Sequence, residues 1–199
     1  MYLSEKLKKQ INEILADSGV IAFVTDTVWG LGCLPSSEIA VKKIYEIKKR
    51  EGQKPLILMS NNIKNLKPYI KEINETAQNL IDEHFPGALT LVLEKSEKTP
   101  DYLTSGFNTI GIRVPDNAVF KEICQAVEGK VLATTSANLS HEPSAKTYGQ
   151  AIENMQGKAD LIIKDFAQSA KGLESTVALI LDDEIKILRQ GAIKVNGEW

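Results

Sequence analysis

The spacing of apolar residues predicts alternating helices and strands along most of the chain. From Leu3 to Leu15 apolar side chains recur every three or four positions, which is typical of an amphipathic helix, and Gly19 is placed to end it. The next segment, 20–24, is continuously apolar and predicts a short buried strand. Helical spacing also follows other capping residues, which predicts helices starting at Ser36 or Ser37, at Asn74 and at Asp116, and a last one over 148–155.

Short apolar segments between these helices predict the remaining strands, at 56–59, 89–93, 109–114, 131–134 and 161–164, and a hairpin of 176–181 and 185–188. This alternation favours an α/β fold with a mixed sheet. No linker-like or repeated segment divides the chain, so we expect one domain over residues 1–199. Polar stretches at 95–108 and 139–146 are predicted loops, where binding sites are common.

The composition is that of a globular protein. Of the 199 residues, 43% are hydrophobic and 25% are charged, which excludes a disordered chain, a collagen-like repeat and a coiled coil. Cys33 and Cys124 are the only cysteines and there are two histidines, so we expect no Cys/His metal site and no disulfide framework. The formal net charge of −2 argues against nucleic-acid binding as the main function.

The N-terminal segment and the apolar runs predict a cytoplasmic protein. Residues 1–19 carry charged side chains throughout and have no apolar signal region. The longest apolar runs, such as 20–24 and 177–181, contain five residues, whereas a membrane-spanning helix needs about 20. We therefore expect no membrane association.

Several common catalytic motifs are missing from the sequence. It contains no Gly-x-x-x-x-Gly-Lys-Ser/Thr phosphate loop and no Gly-x-Ser-x-Gly nucleophile turn, and Gly30-x-Gly32 lacks the third glycine of a dinucleotide-binding turn. An enzyme of this sequence would act by holding its reactants and neutralising their charge, because no protein nucleophile is evident.

The densest group of positive charges lies at the end of the second predicted helix. Lys48, Lys49, Arg50 and Lys54 fall within seven residues, and Gly52 lets the backbone approach a ligand. These cations could simply complement the helix dipole at a solvated C-terminus. Because they precede a predicted buried strand, they could instead hold the phosphates of a triphosphate. Both interpretations stay open at this point.

Arg113 and two hydroxyl-rich segments are further candidates. In the predicted strand 109–114, Arg113 shares a face with Gly111, and a covered arginine needs either a carboxylate partner in the protein or an anionic ligand. Segments 25–27 and 134–138 place hydroxyl and amide groups in turns after strands, where α/β sheets bind ligands, although such residues also stabilise ordinary turns. Ser175, Thr176 and Arg189 add polar groups at strand ends in the last third.

Seven short segments, in one order along nearly the whole chain, together resemble the motifs of the YrdC/TsaC family of threonylcarbamoyl-AMP synthases. They are 25–32 (TDTVWGLG), Lys48-x-Arg50 with Lys54-Pro55-Leu56, 85–90 (FPGALT), 111–115 (GIRVP), 135–140 (TSANLS), 175–177 (STV) and 188–191 (LRQG). The sequence departs from the family pattern at a few positions: Val24 and Gln190 in place of Pro, Trp29 in place of Tyr, His141 in place of Gly, and Met59 where some members carry His.

The resemblance implies a YrdC-like fold, related to the RibB-type fold, in which helices flank a twisted mixed sheet with a large concave cavity. It also implies that L-threonine, bicarbonate or carbon dioxide, and ATP are converted to threonylcarbamoyl-AMP and pyrophosphate. A partner transferase system would then move the threonylcarbamoyl group to the adenosine beside the tRNA anticodon. Mg²⁺ is expected to arrive on the ATP phosphates, and direct tRNA binding is left open.

The resemblance also implies roles for individual residues, which we state as expectations. The catalytic residues would be Lys48 and Arg50. Threonine would be bound by a group with Arg113 on its carboxylate, namely Thr27, Met59, Arg113, Thr134 and Ser175. The nucleotide would be bound by polar residues from five segments, namely Arg50, Lys54, Thr109, Ser136, Asn138, Ser144 and Arg189. No metal ligand is assigned.

Three other functions are compatible with part of the sequence. A non-catalytic RNA-binding module is disfavoured by the net charge and by the lack of an aromatic-rich basic face. A carbamoyl-adenylate-forming domain of the hydrogenase-maturation type usually lies in longer chains with zinc-finger elements. A YrdC-like paralogue with another substrate would share the cavity, and only a change of amino acid in an activity assay separates it.

Overall fold

The computed structural model describes residues 1–49, 54–140 and 142–196. Seven α-helices are found in this part of the chain: α1 (Glu5–Ala16), α2 (Glu38–Lys48), α3 (Ile63–Leu66), α4 (Glu75–His84), α5 (Asp101–Thr104), α6 (Ala118–Ala126) and α7 (Tyr148–Met155). Nine strands accompany them: β1 (Ile21–Phe23), β2 (Gly30–Cys33), β3 (Ile57–Ser60), β4 (Leu89–Glu94), β5 (Thr109–Arg113), β6 (Val131–Ser136), β7 (Leu161–Ile162), β8 (Thr176–Leu181) and β9 (Glu184–Arg189). Single 3₁₀ turns follow α3 and α6.

All nine strands form one sheet in the order β7-β1-β2-β6-β3-β5-β4-β8-β9. The pairs β1–β7, β3–β5 and β4–β8 are parallel and the other pairs are antiparallel. The predicted mixed α/β sheet is therefore confirmed. In such a sheet, the beginning of one strand can lie beside the end of its neighbour.

Local sequence explains where most helices begin. Ser4, Ser37, Asn74 and Thr147 accept a hydrogen bond from a backbone amide in the first turn of α1, α2, α4 and α7, as expected of N-capping side chains. The prediction that Asp116 caps α6 is wrong, because the Asn117 side chain accepts from the amide of Phe120 at 2.9 Å. Asp and Asn cap equally well, so sequence alone gives no preference between neighbours.

Two predicted boundaries also differ from the structure. The segment 95–108, expected as a loop, contains the short helix α5, whose first turn is closed by the Leu103 amide and the Pro100 carbonyl. Strand β6 extends to Ser136, two residues beyond the predicted strand, because Thr135 and Ser136 pair with Leu31 and Gly30 of β2. Thr135 and Ser136, whose hydroxyl groups were expected in a turn, therefore belong to a strand of the sheet.

The loops that follow β1 and β6 are joined to each other by backbone hydrogen bonds. The Trp29 amide donates to the Ala145 carbonyl at 2.9 Å, and the Ala137 amide donates to the Trp29 carbonyl at 2.8 Å. The Gly172 amide donates to the Thr27 carbonyl at 2.8 Å. These bonds hold three loops around one end of the sheet. None of the helices in the described part of the chain is long and apolar enough to cross a membrane.

Candidate active site

A concave cavity of about 180 Å³ lies over one face of the sheet. The described residues that line it are Thr25, Thr27, Val28, Trp29, Gly30, Pro55, Ile57, Met59, Thr90, Arg113, Thr134, Thr135, Ser136, Glu174, Ser175, Val177 and Arg189. They come from the carboxyl ends of β5, β6 and β9 and from the amino ends of β3, β4 and β8. The expectation of a site at the carboxyl ends of the strands is thus only partly right, because antiparallel neighbours bring opposite ends together.

Arg113 reaches the cavity because of its position on β5. Ile110 and Ile112 point into the core and are fully buried, so Gly111 and Arg113 lie on the opposite face. The Arg113 side chain is 2% exposed, and its Nη1 and Nη2 donate to Thr27 Oγ1 at 2.8 Å and to Asp26 Oδ1 at 2.6 Å. The carboxylate-partner interpretation is confirmed by Asp26, and the position of Arg113 on the cavity wall leaves its role towards an anionic ligand a prediction.

The electrostatics of the cavity are set by two arginines and their carboxylate partners. Burial lowers the pKa of the Arg113 guanidinium, the Asp26 carboxylate raises it, and the positive charge of Arg189 lowers it again. A guanidinium stays protonated at neutral pH despite such effects. The two guanidinium groups repel each other, and each is compensated by a carboxylate of the protein, Arg113 by Asp26 and Arg189 by Glu174.

Arg189 is held by the segment that enters β8. Its Nε donates to the Ser175 carbonyl at 3.1 Å, its Nη2 to Ser175 Oγ at 3.2 Å and its Nη1 to Glu174 Oε2 at 2.5 Å. The Ser175 hydroxyl lies 2.8 Å from the Thr90 hydroxyl. Gly191 is required beside this cluster, because a Cβ there would lie 2.3 Å from the Glu174 carbonyl oxygen.

The two threonines of the turn after β1 have different hydrogen-bond partners. Thr25 Oγ1 donates to the Val28 carbonyl at 2.6 Å and also accepts from the Thr27 amide at 3.2 Å, so it closes the turn. The Thr27 hydroxyl, which accepts from Arg113, lies 3.1 Å from the Thr25 hydroxyl. This turn therefore fixes Asp26 and Thr27 against the guanidinium of Arg113.

Lys48 is buried at the end of α2 and holds the segment after β6. Its Nζ donates to the Ser136 carbonyl at 2.7 Å, to Asn138 Oδ1 at 2.7 Å and to Ser136 Oγ at 3.3 Å. Asn138 Nδ2 in turn donates to the Glu142 carbonyl. Lys48, Ser136 and Asn138 therefore form one polar cluster, and Ser136 is its member on the cavity wall.

The structure brings most of the expected site residues together. Those that line the cavity are Thr27, Met59, Arg113, Thr134, Ser136, Ser175 and Arg189. Lys48 and Asn138 adjoin the cavity through Ser136, and Ser144 lines a second cavity beside it.

Besides Lys48, Asn138 and Ser144, three more expected residues are not among those described on the cavity wall. Lys54 is exposed, next to Pro55, which does line the cavity. Thr109 is half-buried at the other end of β5, four residues from Arg113, which corresponds to roughly 13 Å along a strand. Arg50 lies outside the described residues.

Outside the hydroxyl-rich segments 25–27 and 134–138, two polar residues of the cavity wall, Thr90 and Glu174, had no expected role. Thr90 stands second in β4, on the cavity wall, and a polar side chain in the apolar segment 89–93 was a usable signal. Glu174 has no such signal, because it precedes β8 in a segment without periodicity. In the described part of the chain, no group of three or more His, Cys, Asp or Glu side chains is placed to hold a metal ion.

Comparison with known proteins shows which family shares this sequence and fold. A family model for Sua5, YciO and YrdC, described as "Telomere recombination", matches residues 13–191. The chain belongs to the Sua5/YciO/YrdC family. The resemblance stated from the motifs is thereby confirmed for almost the whole chain.

The relatives include proteins named threonylcarbamoyl-AMP synthase. One from Pyrococcus abyssi is 36% identical over 182 residues, which are 92% of this chain and 53% of that protein. One from Enterobacter sp. strain 638 is 39% identical over 145 residues, which are 72% of this chain and 76% of that protein. This chain therefore spans only about half the length of the P. abyssi relative.

A solved structure, described as P. abyssi Sua5 complexed with L-threonine, has the same fold. It superposes with a TM-score of 0.89 and 33% sequence identity, over 96% of this chain and 56% of that one. The YrdC-like architecture of this family member, with helices around a twisted sheet and a concave cavity, is thus confirmed.

Proposed function

We propose that this protein is a threonylcarbamoyl-AMP synthase, which condenses L-threonine, bicarbonate or carbon dioxide, and ATP to threonylcarbamoyl-AMP and pyrophosphate. The observation that carries the proposal is the cavity with a buried arginine and several hydroxyl groups, in a fold shared with a relative whose structure is described as a complex with L-threonine. The curated relatives named threonylcarbamoyl-AMP synthase support the same reaction.

Arg113 is the proposed ligand of the threonine carboxylate. Its three nitrogens use one N–H each on Gly87, Thr27 and Asp26, whereas a guanidinium has five N–H donors. The two other N–H groups suit the two oxygens of a carboxylate. The Ser175 and Thr90 hydroxyls would accept from the ammonium group of threonine or donate to its hydroxyl, and Met59 and Thr134 would line the space for its side chain.

The polyphosphate of ATP is proposed to lie between the Arg189 cluster and the Ser136 cluster. Arg189 and Ser144 supply donors from one side, and Ser136 and Asn138, held by Lys48, supply polar groups from the other. The expected catalytic role of Arg50, and the nucleotide-binding roles of Arg50, Lys54 and Thr109, stay proposals. Mg²⁺ is proposed to enter bound to the ATP phosphates and water, which is a common way for proteins to hold it.

The reaction needs no nucleophile from the protein. The ammonium group of threonine first loses a proton to water, the neutral amine attacks the carbon of carbon dioxide, and loss of a second proton to water gives a carbamate. A carbamate oxygen attacks the α-phosphorus of ATP, and the bond from that phosphorus to the bridging oxygen of pyrophosphate breaks. The protein's share is to align the two substrates, which is worth up to about 7–11 kcal/mol in favourable cases, and to neutralise phosphate charge.

The product would be consumed by a transferase that moves the threonylcarbamoyl group to the adenosine beside the tRNA anticodon. This partner, and any direct contact of this chain with tRNA, belong to the proposal. A mixed anhydride of this kind is reactive towards water, so rapid delivery to a transferase is a chemical requirement of the function.

The test is pyrophosphate release with each substrate left out in turn. We expect release only when ATP, threonine and bicarbonate are all present. L-valine, which has the shape of threonine without its hydroxyl, is the matched control and should be turned over much more slowly, because it leaves polar groups of the site unpaired. Equal release without threonine would reject the proposal, and faster release with another amino acid would indicate a paralogue with a different substrate.

A further inference from the structure

A second cavity adjoins the first, and one side-chain bridge stands between them. The second cavity has a volume of about 340 Å³ and is lined by Val28, Ser144, Lys146, Gly172, Leu173, Glu174, Arg189, Gln190 and Gly191. Among the described residues, those that line both cavities are Val28, Glu174 and Arg189. The contact between Glu174 and Arg189 is therefore at the boundary of the two spaces.

The Glu174 carboxylate joins three separate segments of the chain at this boundary. Its Oε1 accepts from Ser144 Oγ at 2.8 Å, in the loop after β6, and its Oε2 accepts from Arg189 Nη1 at 2.5 Å, at the end of β9. Both donors are groups that we propose for ATP. A negative side chain thus occupies positions that suit the oxygens of a polyphosphate.

The volumes of the two cavities indicate that a nucleotide would need both of them. Sites for small molecules of ordinary size have about 300–1,000 Å³. The first cavity, with about 180 Å³, falls below that range and has space for an amino acid, but a nucleotide beside it needs more. The second cavity supplies that space once the bridge between Glu174 and Arg189 opens.

The charges favour an exchange of Glu174 for a polyphosphate. Glu174 would repel a nearby triphosphate and would compete with it for the same N–H group of Arg189. The ion pair is weakly held, because the Arg189 and Glu174 side chains are 44% and 38% exposed and such pairs contribute little to stability. Lys146 in the second cavity adds a positive charge that a polyphosphate would meet there.

We propose that Glu174 is a displaceable counter-ion, which closes the passage between the two cavities in the absence of nucleotide and gives up Arg189 and Ser144 to an incoming polyphosphate. The identity of the polyphosphate as ATP rests on the proposed function. The exchange itself depends only on the arrangement of Glu174, Arg189 and Ser144.

The test measures binding of inorganic tripolyphosphate and of ATP to the wild-type protein and to Glu174→Gln by titration calorimetry at low ionic strength. Glutamine keeps the shape and can still accept from Ser144, but it has no charge. We expect tripolyphosphate and ATP to bind about three to ten times more tightly to Glu174→Gln, with the gain shrinking as salt is added. The affinity for threonine alone should change by less than the affinity for tripolyphosphate, because threonine carries no net charge.

Glu97→Gln is the matched control, because it removes the same charge from an exposed position that lines neither cavity and should leave both affinities unchanged. Unchanged or weaker polyphosphate binding to Glu174→Gln, at equal melting temperature, would overturn the proposal, since Glu174 would then be inert or would position Arg189. Absence of tripolyphosphate binding in both proteins would also overturn it. Tighter tripolyphosphate binding without the synthase reaction would instead contradict only the proposed function.

Discussion

Arg113 Nη2 donates to Asp26 Oδ1 over 2.6 Å, and both side chains are almost entirely buried. Asp26 belongs to the loop between β1 and β2, whereas Arg113 ends β5, three strands away from β2 in the sheet. Their ion pair therefore fixes the loop after β1 across the sheet and orients the guanidinium towards the cavity. The same contact links the stability of the fold to the geometry of the proposed threonine site.

Replacing Arg113 should separate these two contributions. Arg113→Leu leaves the Asp26 carboxylate buried without its partner, and we expect a loss of about 3–5 kcal/mol in the free energy of unfolding. In the double variant Asp26→Asn/Arg113→Leu no charge is left unpaired, so most of that stability should return. Urea denaturation measures both values.

Activity should not return with stability in the double variant, because the proposed carboxylate ligand is still missing. Pyrophosphate release by a stable double variant at a rate near that of the wild type would show that Arg113 has only a structural role. A single variant as stable as the wild type would show that the ion pair does not hold the loop.

The contribution of the buried Lys48 ammonium group can be compared with that of the exposed Lys49. Lys48→Met removes the hydrogen bonds from the ammonium group to Ser136 and Asn138, and we expect a loss of about 1.5–3 kcal/mol in stability and a higher KM for ATP. Lys49→Met removes the same charge from an exposed position and should change stability by less than about 0.5 kcal/mol. Thermal denaturation and steady-state kinetics check both; equal effects of the two variants would mean that net charge, and no specific contact, is what matters.

Gly191 is expected to be intolerant of even one methyl group. A Cβ at this position would lie 2.3 Å from the Glu174 carbonyl oxygen and 2.4 Å from the Ser175 carbonyl carbon, so the backbone beside Arg189 would have to move. A displacement of about 1 Å at a reacting site can lower activity roughly 100-fold, and we expect a decrease of that order in kcat/KM for Gly191→Ala.

The matched substitution is Gly149→Ala in the first turn of α7, where the nearest atom to the new Cβ is Thr147 Oγ1 at 3.9 Å. This variant should keep its activity and gain up to about 0.5–1 kcal/mol in stability, since alanine loses less backbone entropy on folding than glycine. A fully active Gly191→Ala protein would contradict the close packing of the Arg189 cluster.

The ionised Asp160 carboxylate should stabilise the protein at neutral pH, and this stabilisation should be lost in acid. Desolvation opposes the effect, but the hydrogen bond and charge of Lys43 and the amide of Val20 hold the pKa of Asp160 below its ordinary value. A carboxyl group with a depressed pKa in the folded state stabilises the protein fully above its ordinary pKa of about 3.9, and this contribution is lost as the pH falls from there through the lower pKa of the folded state.

Asp160→Asn should therefore lower the melting temperature at pH 7 by about 2–4 °C, and the difference from the wild type should shrink below about pH 4. Asp116→Asn, at an exposed position of the same residue type, is the control and should melt like the wild type at both pH values. A constant difference between wild type and Asp160→Asn across this pH range would show that the carboxylate charge is not what Val20 and Lys43 bind.

The spacing of apolar residues predicts most strands and helices of this fold, because it depends on which face of each element packs into the core. The strand over 109–114 alternates between core and cavity, so Arg113 could be assigned to the face opposite Ile112 before the fold was known. The last residue of β6 could not be assigned from sequence, because pairing with β2 extends the strand. The first residue of α6 could not be assigned either, because Asp116 and Asn117 are equally good caps and only the structure shows that Asn117 is the cap. Glu174 could not be found at all, since its role depends on Ser144 and Arg189, which only the folded chain brings to it.

In the proposed reaction, threonine carbamate, and no residue of the protein, attacks the α-phosphorus of ATP. The most direct measurement mixes the protein with ATP labelled at the α-phosphate and bicarbonate, with or without threonine, stops the reaction in acid and locates the label. We predict that the label stays on ATP without threonine and moves to a small-molecule threonylcarbamoyl adenylate when threonine is added. Label attached to the protein, or released as AMP without threonine, would contradict the account.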